Sequence, residues 1–216
     1  MKLSHIALAC LAAASFSAQA ADPTFTTGGT ALLNQGQVSS VDHATTVDFN
    51  PGWLSSTADY SYTNFTITQA PGNSGYSAEP PGDATDFFSV GTAPQHASTT
   101  ATLTFGGAGA SYFGMYLGSP DGYNSITFTG NGVNKTFSGS DLAGAWADGN
   151  QGTGLYINFF AAQGTSFTTV TFNSGTNAFE TDNHAYLMAA AVPEPETYAM
   201  MLAGLALVGL ARRRKA

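Results

Sequence analysis

An all-β fold, a single antiparallel β-sandwich of jelly-roll-like character, is predicted by three features of the 216-residue chain. Apolar residues alternate with threonine at period two in several short runs. Each run is bounded by Gly, Asn, Asp or Pro, and no stretch of useful length shows heptad or helical periodicity. Residues 65–68, 103–105, 126–129, 155–159 and 170–172 are the clearest strands, with Thr as the usual outward partner because its β-branched shape suits a pleated surface. Their spacing places Phe105, Phe113, Phe128, Phe159 and Phe172 in the core.

Turn chemistry separates these strands. Pro71-Gly72-Asn73, Pro80-Pro81-Gly82-Asp83, Ser119-Pro120-Asp121-Gly122 and Asn173-Ser174-Gly175 are loop signals, and Asn131-Gly132 predicts a tight hairpin because both residues tolerate positive φ. Residues 46–91 are less regular and read as long loops laid over one sheet. The one weakly helical piece is 140–146, interrupted by Gly144. There is no internal repeat.

The two ends have a different character. Residues 1–20 read as an export signal: Lys2, an apolar run from Ile6 to Phe16, then Ala18-Gln19-Ala20, with small residues at the positions signal peptidase inspects. Cleavage is expected between Ala20 and Ala21. The lone cysteine, Cys10, falls inside this signal in a poor context for lipid attachment, so the exported chain has no disulfide to draw on.

At the other end Val192-Pro193-Glu194-Pro195-Glu196 precedes an apolar segment, residues 198–211, and then the basic tail Arg212, Arg213, Arg214 and Lys215. The basic tail should stay cytoplasmic by the positive-inside rule, and the prolines should stop a short transmembrane helix at its outer end. In motif order these residues resemble the PEP-CTERM sorting signal. That resemblance implies transient attachment to the inner membrane and cleavage near Pro195 by an exosortase. Passage to the cell surface or extracellular matrix of a Gram-negative bacterium would follow. The organisation expected is a signal peptide over 1–20, an ectodomain over 21–191 and the sorting signal over 192–216.

A second resemblance lies in the ectodomain. Tyr112-Phe113-Gly114-Met115-Tyr116-Leu117-Gly118-Ser119-Pro120-Asp121-Gly122-Tyr123-Asn124, with Asn177-Ala178-Phe179-Glu180-Thr181-Asp182-Asn183 downstream, is similar to a β-rich domain recurrent in PEP-CTERM proteins and uncharacterised in function. That family carries Trp where Leu117 stands here.

Five of the six basic residues belong to the two end signals. Residues 21–191 keep twelve acids against Lys135 alone, a formal charge of about −11. Nucleic acid is excluded as a partner, since binding a polyanion needs clustered Lys and Arg to displace counterions.

For chemistry, the acids Asp83 and Asp86 after a Pro-Gly turn, and Glu180 and Asp182 two apart on an extended segment, are candidate ligands for a structural calcium, which takes six to eight oxygens. Solvated turn acids are the bland alternative. His43, His96 and His184 are scattered, with no His-Glu-x-x-His pair and no Gly-x-Ser-x-Gly elbow. A glycoside hydrolase would rest only on chance carboxylate pairs. Trp53 and Trp146, with Tyr60, Tyr62, Tyr76 and Tyr123, lie in loop-like sequence where rings could stack on sugar faces. The function expected is a non-enzymatic structural or adhesive surface component, with a glycan-binding module for exopolysaccharide as the alternative.

Overall fold

The computed structural model describes residues 22–73, 75–190 and 200–208. Among the described residues there are sixteen strands, beginning with β1 (Thr24–Thr27), β2 (Thr30–Ala31), β3 (Gln37–Val38), β4 (Thr45–Val47), β5 (Tyr60–Thr63), β6 (Thr66–Thr68), β7 (Gly72–Asn73) and β8 (Ser77–Ala78). The chain continues through β9 (Phe87–Val90), β10 (Thr100–Phe105), β11 (Ala110–Gly118), β12 (Asn124–Asn131), β13 (Val133–Ser138), β14 (Gly154–Phe160), β15 (Ser166–Ser174) and β16 (Phe179–Met188). Every named pair is antiparallel.

Twelve strands form one large curled sheet. One layer runs β1-β14-β11-β16-β9-β6, with β4 added on β16, and the other runs β13-β12-β15-β10-β5. The layers join where Ala110 of β11 pairs with Phe167 of β15. Between them lies an aromatic core: the Phe128 ring is 4.6 Å from Phe159, and Phe172 is 4.9 Å from Phe88 and 6.0 Å from Phe113. The five predicted core phenylalanines are all buried. Such rings bury a large apolar area each and prefer the tilted and edge-on pairings found here.

The predicted hairpin is the β12–β13 turn, with Gly130 opposite Val133. Gly132 has φ 71°, whereas Asn131 keeps an ordinary negative φ, so only one of the two turn residues uses the left-handed region. The weakly helical stretch becomes α1 (Gly139–Ala143) followed by a 3-10 turn ending at Trp146. A reciprocal box caps α1: Asp141 N–H donates to Ser138 Oγ, and Ser138 N–H donates back to the Asp141 carboxylate. Ser138→Ala is expected to cost about 1 kcal/mol in denaturant unfolding, the usual loss for an N-cap hydroxyl.

The outer face of the β13-β12-β15-β10-β5 layer carries a registered array. Thr136, Thr127, Thr171, Thr102 and Thr63 stand opposite one another across all five strands. The next row is Asn134, Thr129, Thr169, Thr104 and Ser61, and on the other side lie Ser138, Ser125, Asn173 and Thr100. Neighbouring hydroxyls bond along the rows, Thr127 to Thr136 at 2.8 Å and Thr129 to Thr169, while Thr100 donates to Asn173 at 3.0 Å. Sheet geometry spaces such side chains at about 4.8 Å between strands and about 6.8 Å along them. None of the three rows holds a charged residue.

Candidate functional site

The opposite layer supplies a different surface. β11, β14 and β16 turn Phe113, Met115, Ile157 and Phe159 into the core, and on their other side they carry Tyr112, Tyr116, Tyr156, Asn158, Glu180 and Asp182, all buried. Segments 28–39, which holds the short β2–β3 pair, and 77–85 cover that side through hydrogen bonds. Tyr112 accepts from the Ser39 hydroxyl at 2.7 Å and donates to Asn158 at 2.8 Å, and Asn158 donates to the Gly28 carbonyl at 2.8 Å. Tyr156 donates to the Asn183 carbonyl at 2.9 Å, and Asn183 donates to the Gln35 carbonyl at 2.6 Å. Buried polar groups are tolerated only with partners, and here loop backbone supplies them.

The register of β16 changes at this point. Between Gly114/Ala185 and Tyr116/Asp182 the pairing slips, and Asn183 takes φ 48°. This bulge turns His184 to the aromatic side, where Tyr62 contacts Nδ1 at 2.9 Å and Thr181 contacts Nε2 at 2.8 Å. Phe172 stacks on the ring at 5.2 Å. Burial pushes the imidazole down to about 3, so it is neutral and packed.

The four acids singled out in the sequence are divided among three places. Glu180 and Asp182 do share a face of β16, opposite Gly118 and Tyr116. Asp182 meets Asp83: the Thr85 hydroxyl lies between them, 2.5 Å from Asp83 Oδ1 and 3.2 Å from Asp182 Oδ2. Both are buried, and Asp83 Oδ2 finds no protein N–H or O–H donor. Burial first, and Asp83 next, raise Asp182 far above the usual carboxylate range. A proton retained on Asp182 lets the two carboxyls share a hydrogen bond instead of repelling each other. Asp86 stands apart, in a groove with Thr66, Thr68, Gln69 and Gln95. Among the described residues no three His, Cys, Asp or Glu side chains group as a metal site. The single four-acid calcium site expected from Asp83, Asp86, Glu180 and Asp182 is therefore not assembled, because Asp182 pairs with Asp83 while Glu180 faces another loop.

Glu180 borders a small, almost wholly polar cavity of about 190 Å³ with Ser119, Asp121, Tyr123, Gln151 and Asn177. Its Oε1 accepts from the Ala78 N–H at 2.9 Å, and burial, with Asp121 adding repulsion, pushes it up to about 8. The Tyr123 hydroxyl lies 2.8 Å from Asp121 Oδ2 and 2.5 Å from the Asn177 carbonyl. Gly149 has φ 72°, and a Cβ there would come within 2.5 Å of Asp121 Oδ1, so glycine keeps room for this carboxylate. Asp121 and Ser119 escaped the sequence reading because they resembled turn residues. Only the fold brings their loop to the start of β16.

The aromatics separate cleanly. Tyr60 and Tyr62 belong to β5 and are buried, and Trp53 packs edge-on against Phe49 at 5.0 Å and Phe65 at 5.5 Å. Trp146 is 66% exposed and borders an open groove of about 550 Å³ with Leu142, Thr153 and Leu155.

Ala18, Ala20, Ala21, the Pro193-Glu194-Pro195 box and Arg212, Arg213, Arg214 and Lys215 lie outside the described residues. Residues 200–208 are helical. Among the described residues no helix is long and apolar enough to cross a membrane. The transmembrane helix expected from residues 198–211 is thus without structural support in the described portion.

No curated protein matches the chain. Residues 191–215 match the PEP-CTERM protein-sorting motif. With that motif behind a β-rich ectodomain, the chain is an exported surface protein that carries a PEP-CTERM signal handled by an exosortase.

Proposed function

We propose that the exported domain is a non-enzymatic adhesive component of the cell surface or matrix, and that its Thr/Ser/Asn face beds onto neutral exopolysaccharide. The observation that carries this reading is the three registered rows across five strands, uncharged in a domain of about −11. A hydroxylated polymer can exchange direct and water-bridged hydrogen bonds with such rows without burying a charge. Each contact is weak, and the repeat on both partners adds them by multivalency. Acidic polymers should be repelled by the domain's charge at low salt.

A second reading has one specific support. Exposed Trp146 beside its groove suits stacking on a sugar face.

The test is retention of the exported protein on immobilised neutral polysaccharides such as cellulose, galactomannan and dextran, with alginate as the acidic control. Thr171→Glu places a charge at the centre of the array, between Thr127 and Thr102. It is expected to weaken retention at least tenfold while leaving the melting temperature near that of the parent, because Thr171 is only half-buried. Loss of retention in Trp146→Ala but not in Thr171→Glu would favour the groove. Release of reducing ends, abolished by Glu180→Gln, would replace both readings by a hydrolase.

A further inference from the structure

We propose that Glu180, Asp121 and Ser119 form a binding site for a hard divalent cation, Ca²⁺, where the 119–123 turn meets the start of β16. Three independent features converge there. Glu180 is 4% exposed and lines the cavity, and its Oε2 is buried with no hydrogen-bond partner, although Oε1 is held by the Ala78 N–H. Ser119 is equally buried, and its Oγ also lacks a partner on the same cavity wall. Asp121 brings a second carboxylate, kept in place by the Tyr123 hydroxyl and by the room that Gly149 leaves. Two unpartnered buried oxygens on residues that line one polar cavity are costly unless something binds them.

The donor set selects the ion. Every group named is an oxygen, which suits a hard cation and not a thiolate- or imidazole-preferring one. Two carboxylates, a hydroxyl and the side-chain oxygen of Gln151 leave further positions to water, a mixture that calcium accepts in its flexible coordination of six to eight oxygens. Magnesium requires a near-ideal octahedron and gives up its water reluctantly. With only two carboxylates, the affinity belongs at the weak end for calcium modules, a Kd of roughly 10⁻⁴–10⁻³ M, appropriate to an extracellular protein.

The experiment is calorimetric titration of the exported protein with CaCl₂, alongside melting curves in CaCl₂, MgCl₂ and NaCl at equal ionic strength. One calcium per chain is expected, with a melting temperature that rises with calcium, less with magnesium and not with sodium. Glu180→Gln preserves shape and hydrogen bonding to Ala78, and should abolish the calcium response without lowering the calcium-free melting temperature. Asp121→Asn should weaken binding at least tenfold, and serves as the second variant if Glu180→Gln does not fold. Asp83→Asn, outside the cavity, should bind calcium like the parent. The proposal is overturned by no heat and no melting shift at about 10 mM calcium, roughly tenfold above the weak limit of such sites. It is equally overturned if Glu180→Gln and Asp121→Asn titrate like the parent, which would place the ion elsewhere.

Discussion

Replacing Glu194 by Ala is expected to abolish surface display. The glutamate is the centre of the Pro193-Glu194-Pro195 box within the matched sorting motif. A protease that reads this box must bind its one charged side chain, and a site built to pair a carboxylate rejects an analogue lacking it strongly, because its own polar groups are then left unpaired. The uncleaved chain should accumulate in the inner-membrane fraction with its basic tail intact, visible as a higher intact mass. Glu196→Ala, one residue beyond the box, should be displayed nearly as the parent. Normal display of Glu194→Ala with the tail removed would show that sorting does not depend on the box.

The second large effect is a loss of stability with rising pH. Glu180 and Asp182 both have folded-state pKa values above their unfolded ones, so the folded state holds protons that the unfolded state releases. Stability contributed this way is complete at low pH and is lost as pH rises from about 4 through the folded values, about 8 for Glu180. His184 acts in the opposite sense. Its folded value is depressed, so its contribution is full above pH 6.5 and falls away as pH drops toward 3. The two trends oppose each other between about pH 4 and 6.5, and above that the acids act alone. Each proton is worth up to about 1.4 kcal/mol per pH unit. Unfolding by denaturant in the presence of chelator should therefore show stability falling by a few kcal/mol between pH 6.5 and 8. Asp182→Asn keeps a donor toward Asp83 without a titrating proton and should flatten that slope. A stability that rises over this window would mean that the buried carboxyls are ionised throughout.

Legibility in the sequence followed burial. The strands seen in advance, such as β10, β12 and β15, have one face in the core and one in solvent, so apolar residues and threonines alternate visibly. β11 escaped, although it is nine residues long, because its Tyr112, Gly114 and Tyr116 are covered by loops while Phe113, Met115 and Leu117 face the core. A strand buried on both faces loses the period-two signal. The bulge at Asn183 adds to this, since it places Thr181 and His184, three residues apart, on the same side. Tyr60 and Tyr62 looked like loop residues for the complementary reason: β5 is an edge strand of four residues, too short to display a period.

By itself the sequence determined the destination and the class of fold. Sorting motifs are read as linear strings, so Pro193-Glu194-Pro195 and the basic tail carry their meaning without tertiary context. Threonine alternation and turn residues likewise act within a few residues of themselves. Tertiary structure alone decided which polar groups meet. Asp83 reaches Asp182 across 99 positions, and Asp121 reaches Glu180 across 59, through a β-topology whose crossovers no local pattern encodes. The threonine rows exist for the same reason. Each strand shows its own alternation, but whether Thr136, Thr127, Thr171, Thr102 and Thr63 align depends on register, and a slip of one residue would turn every one of them into the core.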